Sequence, residues 1–209
     1  MHRRTLMLLT DITIHPFVGH TIRPYLPCVA KLSIEVYKEY PFLYESSLED
    51  EMQALQKFAD HEEAISIVVF DGSTIVGASM GIPLEAESED ILSPFKQKKI
   101  DSTRYYHFAE SFLLKAYRGR GIGHHFFDLR EEFACRLERF DFACFYNVDR
   151  PDNDPKRPED HLCIEDLWRK RGFSHHKEIR FRQKWKDVGE EISSEKELSF
   201  WIKDLRNLH

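Results

Sequence analysis

Apolar and polar positions along the chain alternate between two rhythms. Ile65 to Phe70 is a β-branched run, Asp71-Gly72-Ser73 interrupts it, and Thr74 to Met80 resumes it. Two such runs joined by a short Asp-Gly turn predict an antiparallel hairpin. Leu6 to Ile14 predicts a first strand ending at His15-Pro16. A helix is expected from Thr21 or Arg23, with Pro24 near its first turn and Pro41 stopping it after Tyr40. Val29, Leu32, Val36 and Tyr37 form its buried stripe. Ser47-Leu-Glu-Asp reads as an N-cap with an acidic first turn, opening a second helix to about His61.

The middle of the chain changes rhythm within one stretch, Phe108 to Glu132. A strand beginning near Tyr105 runs through Phe112, Leu113 and Leu114. The chain then turns through Arg118-Gly119-Arg120-Gly121-Ile122-Gly123, and Phe126, Leu129, Phe133 and Leu137 follow at helical spacing. Asp141 to Val148 predicts another strand, and the Pro- and Asp-rich Arg150 to Glu159 a loop. Ile164, Leu167 and Trp168 face one side of a helix that starts at His161 or Leu162 and stops at Gly172. Glu178 to Lys186 alternates as a last strand or hairpin. Ser194-x-x-Glu197 reads as a capping box, and Leu198, Trp201, Ile202 and Leu205 predict a closing amphipathic helix over 190–209. The predicted order, β-α-α-β-β-β-α-β-α-β-(β)-α, points to an α/β or mixed α+β fold.

Composition narrows the picture. A chain of 209 residues, 42% hydrophobic, suits one domain with a substantial core. Its net charge of −6 argues against a general nucleic-acid binder. Cys28, Cys135, Cys144 and Cys163 form no CxxC pair and read as reduced thiols of a cytoplasmic protein. The apolar run Leu6 to Leu9 is too short for a signal-peptide core, and no run approaches membrane-spanning length. His175-His176 and His161-x-Cys163 lack a third ligand at useful spacing, so no metal is expected.

The glycine turn carries the chemistry. Glycines at 119, 121 and 123 let the backbone turn sharply and approach a ligand without a Cβ in the way. The first turn of the following helix offers unpaired N–H groups at its positive end, which suits a phosphate or pyrophosphate. Arg118 and Arg120 add positive charge. A dinucleotide fingerprint would need a glycine where His124 stands, and no GK[ST] follows the turn as in a nucleotide-binding P-loop.

The pattern Arg118-x-x-Gly121-x-Gly123, after a strand and opening a helix, resembles the acetyl-CoA-binding motif of the GNAT superfamily of N-acetyltransferases. The element order resembles that family over nearly the whole chain, most specifically from about 105 to 173. The resemblance implies a mostly antiparallel mixed sheet flanked by helices, with 84–104 and 149–160 as insertions and 190–209 as a C-terminal addition. It implies acetyl-CoA as co-substrate and direct transfer of its acetyl group to an amine of a small molecule or peptide. The cofactor arm would follow Ser111, Phe112 and Leu113; the pyrophosphate would meet the amides of Gly119, Arg120, Gly121, Ile122, Gly123 and His124; Asn147 would bond the arm from the next strand. Arg150, Lys156 and Arg157 are surface-loop charges that could also reach the 3′-phosphate.

One position departs from the family. Many members carry a tyrosine acid where this chain has Trp168, and an indole N–H cannot protonate a thiolate. Tyr146 and Tyr106 are the substitutes, with solvent the other route. An alkylammonium must lose its proton before attack, so a base is needed, and Glu110 and His107 on the central strand are the candidates. They lie on opposite faces of a regular strand unless a bulge intervenes. Tyr37, Tyr40, Phe42 and Tyr44, with nearby carboxylates, suit a cationic acceptor. A non-catalytic acyl-CoA-binding or sensor module on the same fold is the second reading; the chain is expected as a monomer or homodimer.

Overall fold

The β-branched runs pair as predicted. β2 (Ile65–Asp71) and β3 (Thr74–Pro83) form an antiparallel hairpin whose turn places Gly72 at φ +59°, in the left-handed region. This computed structural model of the protein describes residues 12–151, 153–160 and 164–206. Seven strands make one sheet in the order β1-β2-β3-β4-β5-β7-β6. The others are β1 (Ile12–Val18), β4 (Tyr105–Leu113), β5 (Phe142–Val148), β6 (Ser174–Trp185) and β7 (Ser194–Asp204). Every pairing is antiparallel except β4 with β5.

Helices cover both faces. α1 (Leu26–Tyr37) and α2 (Leu48–Asp60) bury Val29, Leu32, Leu55 and Phe58 against Val68, Ala78, Met80 and Phe112. α2 starts at Ser47, whose side chain accepts from the Asp50 amide, as the N-cap reading requires. On the opposite face α4 (Ile122–Arg136) packs Phe126 and Phe133 with Tyr106, Phe108 and Phe145. α5 (Glu165–Lys170) adds Trp168 to that cluster and ends at Gly172, φ +88°. Among the described residues no helix is long and apolar enough to cross a membrane.

Four expectations change. Of the expected first strand, residues 6–11 lie outside the described residues, and β1 continues past His15-Pro16 to Val18. Proline is tolerated there because β1 is an edge strand. The first helix begins as a 3-10 turn, Gly19–Tyr25, that holds Pro24. The 84–104 insertion joins the core: it carries α3 (Glu89–Gln97), whose Ile91 and Phe95 are buried with Phe181 and Phe200.

The largest correction is the tail. Residues 194–204 form β7, not a helix, and Ser194 starts a strand instead of capping. β7 lies between β5 and β6, so every residue from Leu198 to Ile202 is buried. A strand covered on both faces reads as a continuous apolar run, and such a run also satisfies helical spacing.

Gly81 on β3 tests the packing above the central strand. A Cβ there would lie 2.6 Å from the Tyr106 ring and 3.5 Å from Cδ of Arg130. Tyr106 is fully buried and donates its hydroxyl to the Glu63 carbonyl at 2.9 Å, so it has no room to yield. Gly81→Ala is expected to cost about 1–3 kcal/mol in chemical denaturation; an unchanged midpoint would contradict this packing.

Candidate active site

The site begins with one extra residue. Met80 of β3 pairs with Glu110, but Ile82 pairs with His107, so β4 spends three residues where β3 spends two. Side chains alternate along a strand, and this bulge reverses the alternation. It brings His107 and Glu110 to the same face, the one covered by α1 and α2. Glu110 Oε2 accepts from the Tyr37 hydroxyl at 2.5 Å. His107 Nδ1 is 2.9 Å from Glu87, and its ring is 5.1 Å from that of Tyr146.

Arg130 supports the bulge from the other face. Its Nη1 donates to the carbonyls of Glu110 at 3.3 Å and Met80 at 3.5 Å, and its Nε to Phe126 O at 3.0 Å. Its guanidinium lies 4.3 Å over the Phe108 ring and 5.3 Å from that of Phe127. Ser79 Oγ also donates to Glu110 O at 3.0 Å. The kinked main chain is therefore not left with an unmet buried carbonyl. Burial lowers the Arg130 pKa to about 9, which keeps it a cation at neutral pH. Sequence reasoning passed over Arg130; the available signal was a charge four residues after Phe126, on the apolar stripe of α4.

Beside the bulge the sheet opens. β4 and β5 pair only from Tyr105↔Phe142 to His107↔Cys144. The amide of Leu114 bonds the Val76 carbonyl, so antiparallel alternation turns the main-chain groups of Leu113 and Ser111 away from β3 and into the gap. Leu113 O there accepts from Arg118 Nε at 2.9 Å, and the Ser111 amide lies 3.5 Å from the Tyr37 hydroxyl. Phe112 differs from its neighbours. Its main chain is turned towards β3 and its side chain is buried in the core, so it offers the gap nothing.

At the mouth of the gap, Gly119 and Gly121 have φ of +75° and +83°, conformations that favour glycine. Gly121 is the N-cap of α4; no side chain caps that end and its first turn holds no acidic residue. A Cβ at 119, 121 or 123 would meet nothing within 4 Å, so the glycines keep an open approach. Ile122 is buried and pins the turn to the core. The His124 amide is already bonded to Gly121 O at 2.9 Å. Arg118 reaches Glu39 at 2.6 Å, and Arg120 lies 5.2 Å from the Tyr117 ring. Asn147 shares its face of β5 with Phe145, towards α4. Arg150 and Lys156 are both held by Asp187, at 2.9 and 3.1 Å, and so are engaged within the fold.

Electrostatics separate the candidate bases. Burial raises the Glu110 pKa to about 7, although the Tyr37 hydrogen bond pulls the other way. Burial and Glu110 together raise Tyr37 well above the usual phenol value. His107 is fully buried, and burial lowers its pKa. Neutral His107 donates from Nδ1 to Glu87, whose other oxygen holds Lys57 at 2.5 Å; Nε2 has no partner among the described residues. Burial opposes ionisation of Glu87, but the His107 hydrogen bond and then Lys57 outweigh burial and hold it at a pKa of about 2.

The tyrosines separate too. Tyr106 is on the α4 side with its hydroxyl committed to Glu63, whereas Tyr146 is beside His107 on the Glu110 side. Burial first, and Glu110 and Glu87 after it, raise Tyr146 well above the usual value. Trp168 packs 4.9 Å from Phe145 and 5.0 Å from Trp201, as a core residue. Among the described residues no three His, Cys, Asp or Glu side chains come together to hold a metal ion.

No family model and no curated protein sequence matches the chain. In three dimensions it is similar to a ribosomal-protein-alanine N-acetyltransferase from Brucella melitensis, with TM-score 0.56, 15% identity and coverage of 90% of this chain and 99% of that one. It is similar to an acetyltransferase of the GNAT family from Streptococcus pneumoniae, with TM-score 0.54, 14% identity and coverage of 93% and 99%. It is also similar to NAA60 of Arabidopsis thaliana in complex with a bisubstrate analogue, with TM-score 0.54, 13% identity and coverage of 91% and 98%. At such identities the likeness is one of fold.

Glu110 makes stability depend on pH. Its folded pKa, about 7, exceeds the ordinary value of 4.5, so between those values the folded state holds more protons than the unfolded one. Stability therefore falls as pH rises through that window, and the whole penalty is present above it. Glu110→Gln is expected to unfold with wild-type stability near pH 4 and to gain roughly 3 kcal/mol near pH 8. Equal stability of the two proteins at both pH values would contradict the buried setting of Glu110.

Proposed function

With the GNAT fold as premise, we propose that the chain is an acetyl-CoA-dependent N-acetyltransferase that moves the acetyl group directly to an amine. The observation that carries the reading is Glu110. A carboxylate with a pKa near 7 faces the open edge of β4, beside the outward-turned main chain of Ser111 and Leu113. Bound acetyl-CoA would supply an activated thioester. The free amides at the start of α4 and the turn from Gly119 to Gly123 suit its pyrophosphate, and Arg118 and Arg120 border that turn. Ser111 and Leu113 offer main-chain groups to its amide-bearing arm. In this reading Asn147, near the end of β5, bonds that arm.

Glu110 takes the proton of the acceptor ammonium, and Tyr37 fixes the carboxylate by hydrogen bonding it. The neutral amine forms the new C–N bond. The Leu113 amide faces the negative charge that develops on the carbonyl oxygen. The C–S bond breaks, the nitrogen gives up its second proton to solvent, and in this reading Tyr146 donates a proton to the thiolate and regains one from solvent. His107 is sealed from solvent and bound to Glu87, so it walls the site and does not act as the base.

Acetyl transfer from acetyl-CoA, followed by thiol release, tests this. The value of kcat/KM is expected to rise with pH through about 7 as Glu110 ionises. Glu110→Gln is expected to lose about 10²–10⁴-fold in kcat and that limb of the profile. Tyr146→Phe is expected to lower kcat while leaving KM for acetyl-CoA unchanged. Wild-type turnover and pH profile in Glu110→Gln would overturn the assignment.

A further inference from the structure

Three features of the Glu110 side of the gap bear on what the acceptor is. The first is its wall. Tyr37 packs against Phe42 with ring centroids 5.0 Å apart, and Tyr146 against Phe181 at 5.0 Å. Phe42 and Tyr146 both border the buried cluster that contains Phe181. Glu110 bonds the Tyr37 hydroxyl and its charge reaches Tyr146, whose ring lies 5.1 Å from that of His107.

The second is charge. Three cations on this side are held by carboxylates: Lys57 by Glu87 at 2.5 Å, Arg118 by Glu39 at 2.6 Å and Arg150 by Asp187 at 2.9 Å. An ammonium among rings beside Glu110 is favoured. A substrate carboxylate next to that ammonium would meet Glu110, while Arg130 is on the far face of β4 and spent on the carbonyls of Glu110, Met80 and Phe126.

The third is closure. The segment after α1 is fastened across to the β6–β7 end. Arg150 Nε donates to Pro41 O at 2.8 Å, Trp185 Nε1 to Phe42 O at 3.1 Å, and the Val188 amide to Leu43 O at 2.7 Å. Arg150, Lys156 and Lys196 converge on Asp187, which is almost fully buried and held at a pKa of about 2: burial opposes the shift, and the three cations outweigh it. These bonds bridge residues 41–43 directly to 150 and 185–188, across the line an extended polypeptide would take between them.

We propose that the acceptor is a small primary amine on an apolar or aromatic body, without a carboxylate beside the amine, and not a polypeptide. This rests on the acetyltransferase reading above and narrows its acceptor. Phe42 is then a specificity-determining contact outside the proton-transfer pair of Glu110 and Tyr37.

The test compares four acceptors with the full chain and acetyl-CoA: 2-phenylethylamine, phenylalanine, a peptide with a free N-terminal phenylalanine, and a peptide with an internal lysine. The value of kcat/KM for 2-phenylethylamine is expected to exceed each of the others by more than about tenfold. Phe42→Ala is expected to raise KM for 2-phenylethylamine about tenfold while KM for acetyl-CoA stays unchanged. Preference for a peptide or for phenylalanine overturns the proposal and leaves the acetyltransferase reading standing. So does acetyl-CoA binding, seen as a raised unfolding midpoint, with no turnover of 2-phenylethylamine. If acetyl-CoA neither binds nor is consumed, the acetyltransferase reading falls, and this proposal with it.

Discussion

The site depends on a single kink in β4, held in place by Arg130. Without the extra residue between Met80↔Glu110 and Ile82↔His107, Glu110 would point into the aromatic core beneath α4. The kink leaves carbonyls of Met80 and Glu110 in need of donors, and the Arg130 guanidinium meets both while resting between the rings of Phe108 and Phe127. A buried cation without a close carboxylate is costly, so its hydrogen bonds and ring contacts must be well made. Gly81, opposite the kink, admits the Tyr106 ring and the Arg130 stem that a side chain would displace.

The same kink organises the opening of the sheet. β5 follows β4 only as far as His107 and pairs with β7 on its other edge along its whole length. The unpaired edge of β4 is then available to a ligand that can hydrogen-bond a strand. Glu110 and Tyr37 lie on one side of that edge, and the start of α4 on the other. In the proposed reaction the proton transfer and the pyrophosphate lie on opposite sides of the sheet, and a long ligand threading the gap would reach both.

Much of this was legible in the sequence. The hairpin over 65–80, the Ser47 N-cap, the strand–glycine turn–helix stretch and the Gly172 stop are local signals: turn chemistry, capping and periodicity decide them. What was not legible depends on tertiary context. The tail was read as a helix because Leu198, Trp201, Ile202 and Leu205 fit helical spacing, which a run buried on both faces also contains, and only the position of β7 between two strands decides for the strand. The shared face of His107 and Glu110 required the bulge, and Arg130, which stabilises it, looks like an ordinary helix residue. Tyr37 was visible as an aromatic of the first helix, but its bond to Glu110 spans 73 residues of sequence.

The most direct measurement is thermal unfolding of the full chain with acetyl-CoA, CoA, NADH or ATP, alongside the Gly121→Glu variant. Position 121 has φ +83° and caps α4, so a glutamate there both strains the turn and puts negative charge where the pyrophosphate would lie. Ligand at about 100 times its dissociation constant stabilises the folded state by about 2.7 kcal/mol. The account predicts a raised midpoint with acetyl-CoA and CoA, none with NADH or ATP, and loss of the shift in Gly121→Glu. An unchanged midpoint with both CoA species, or an equal rise with all four ligands, would contradict it.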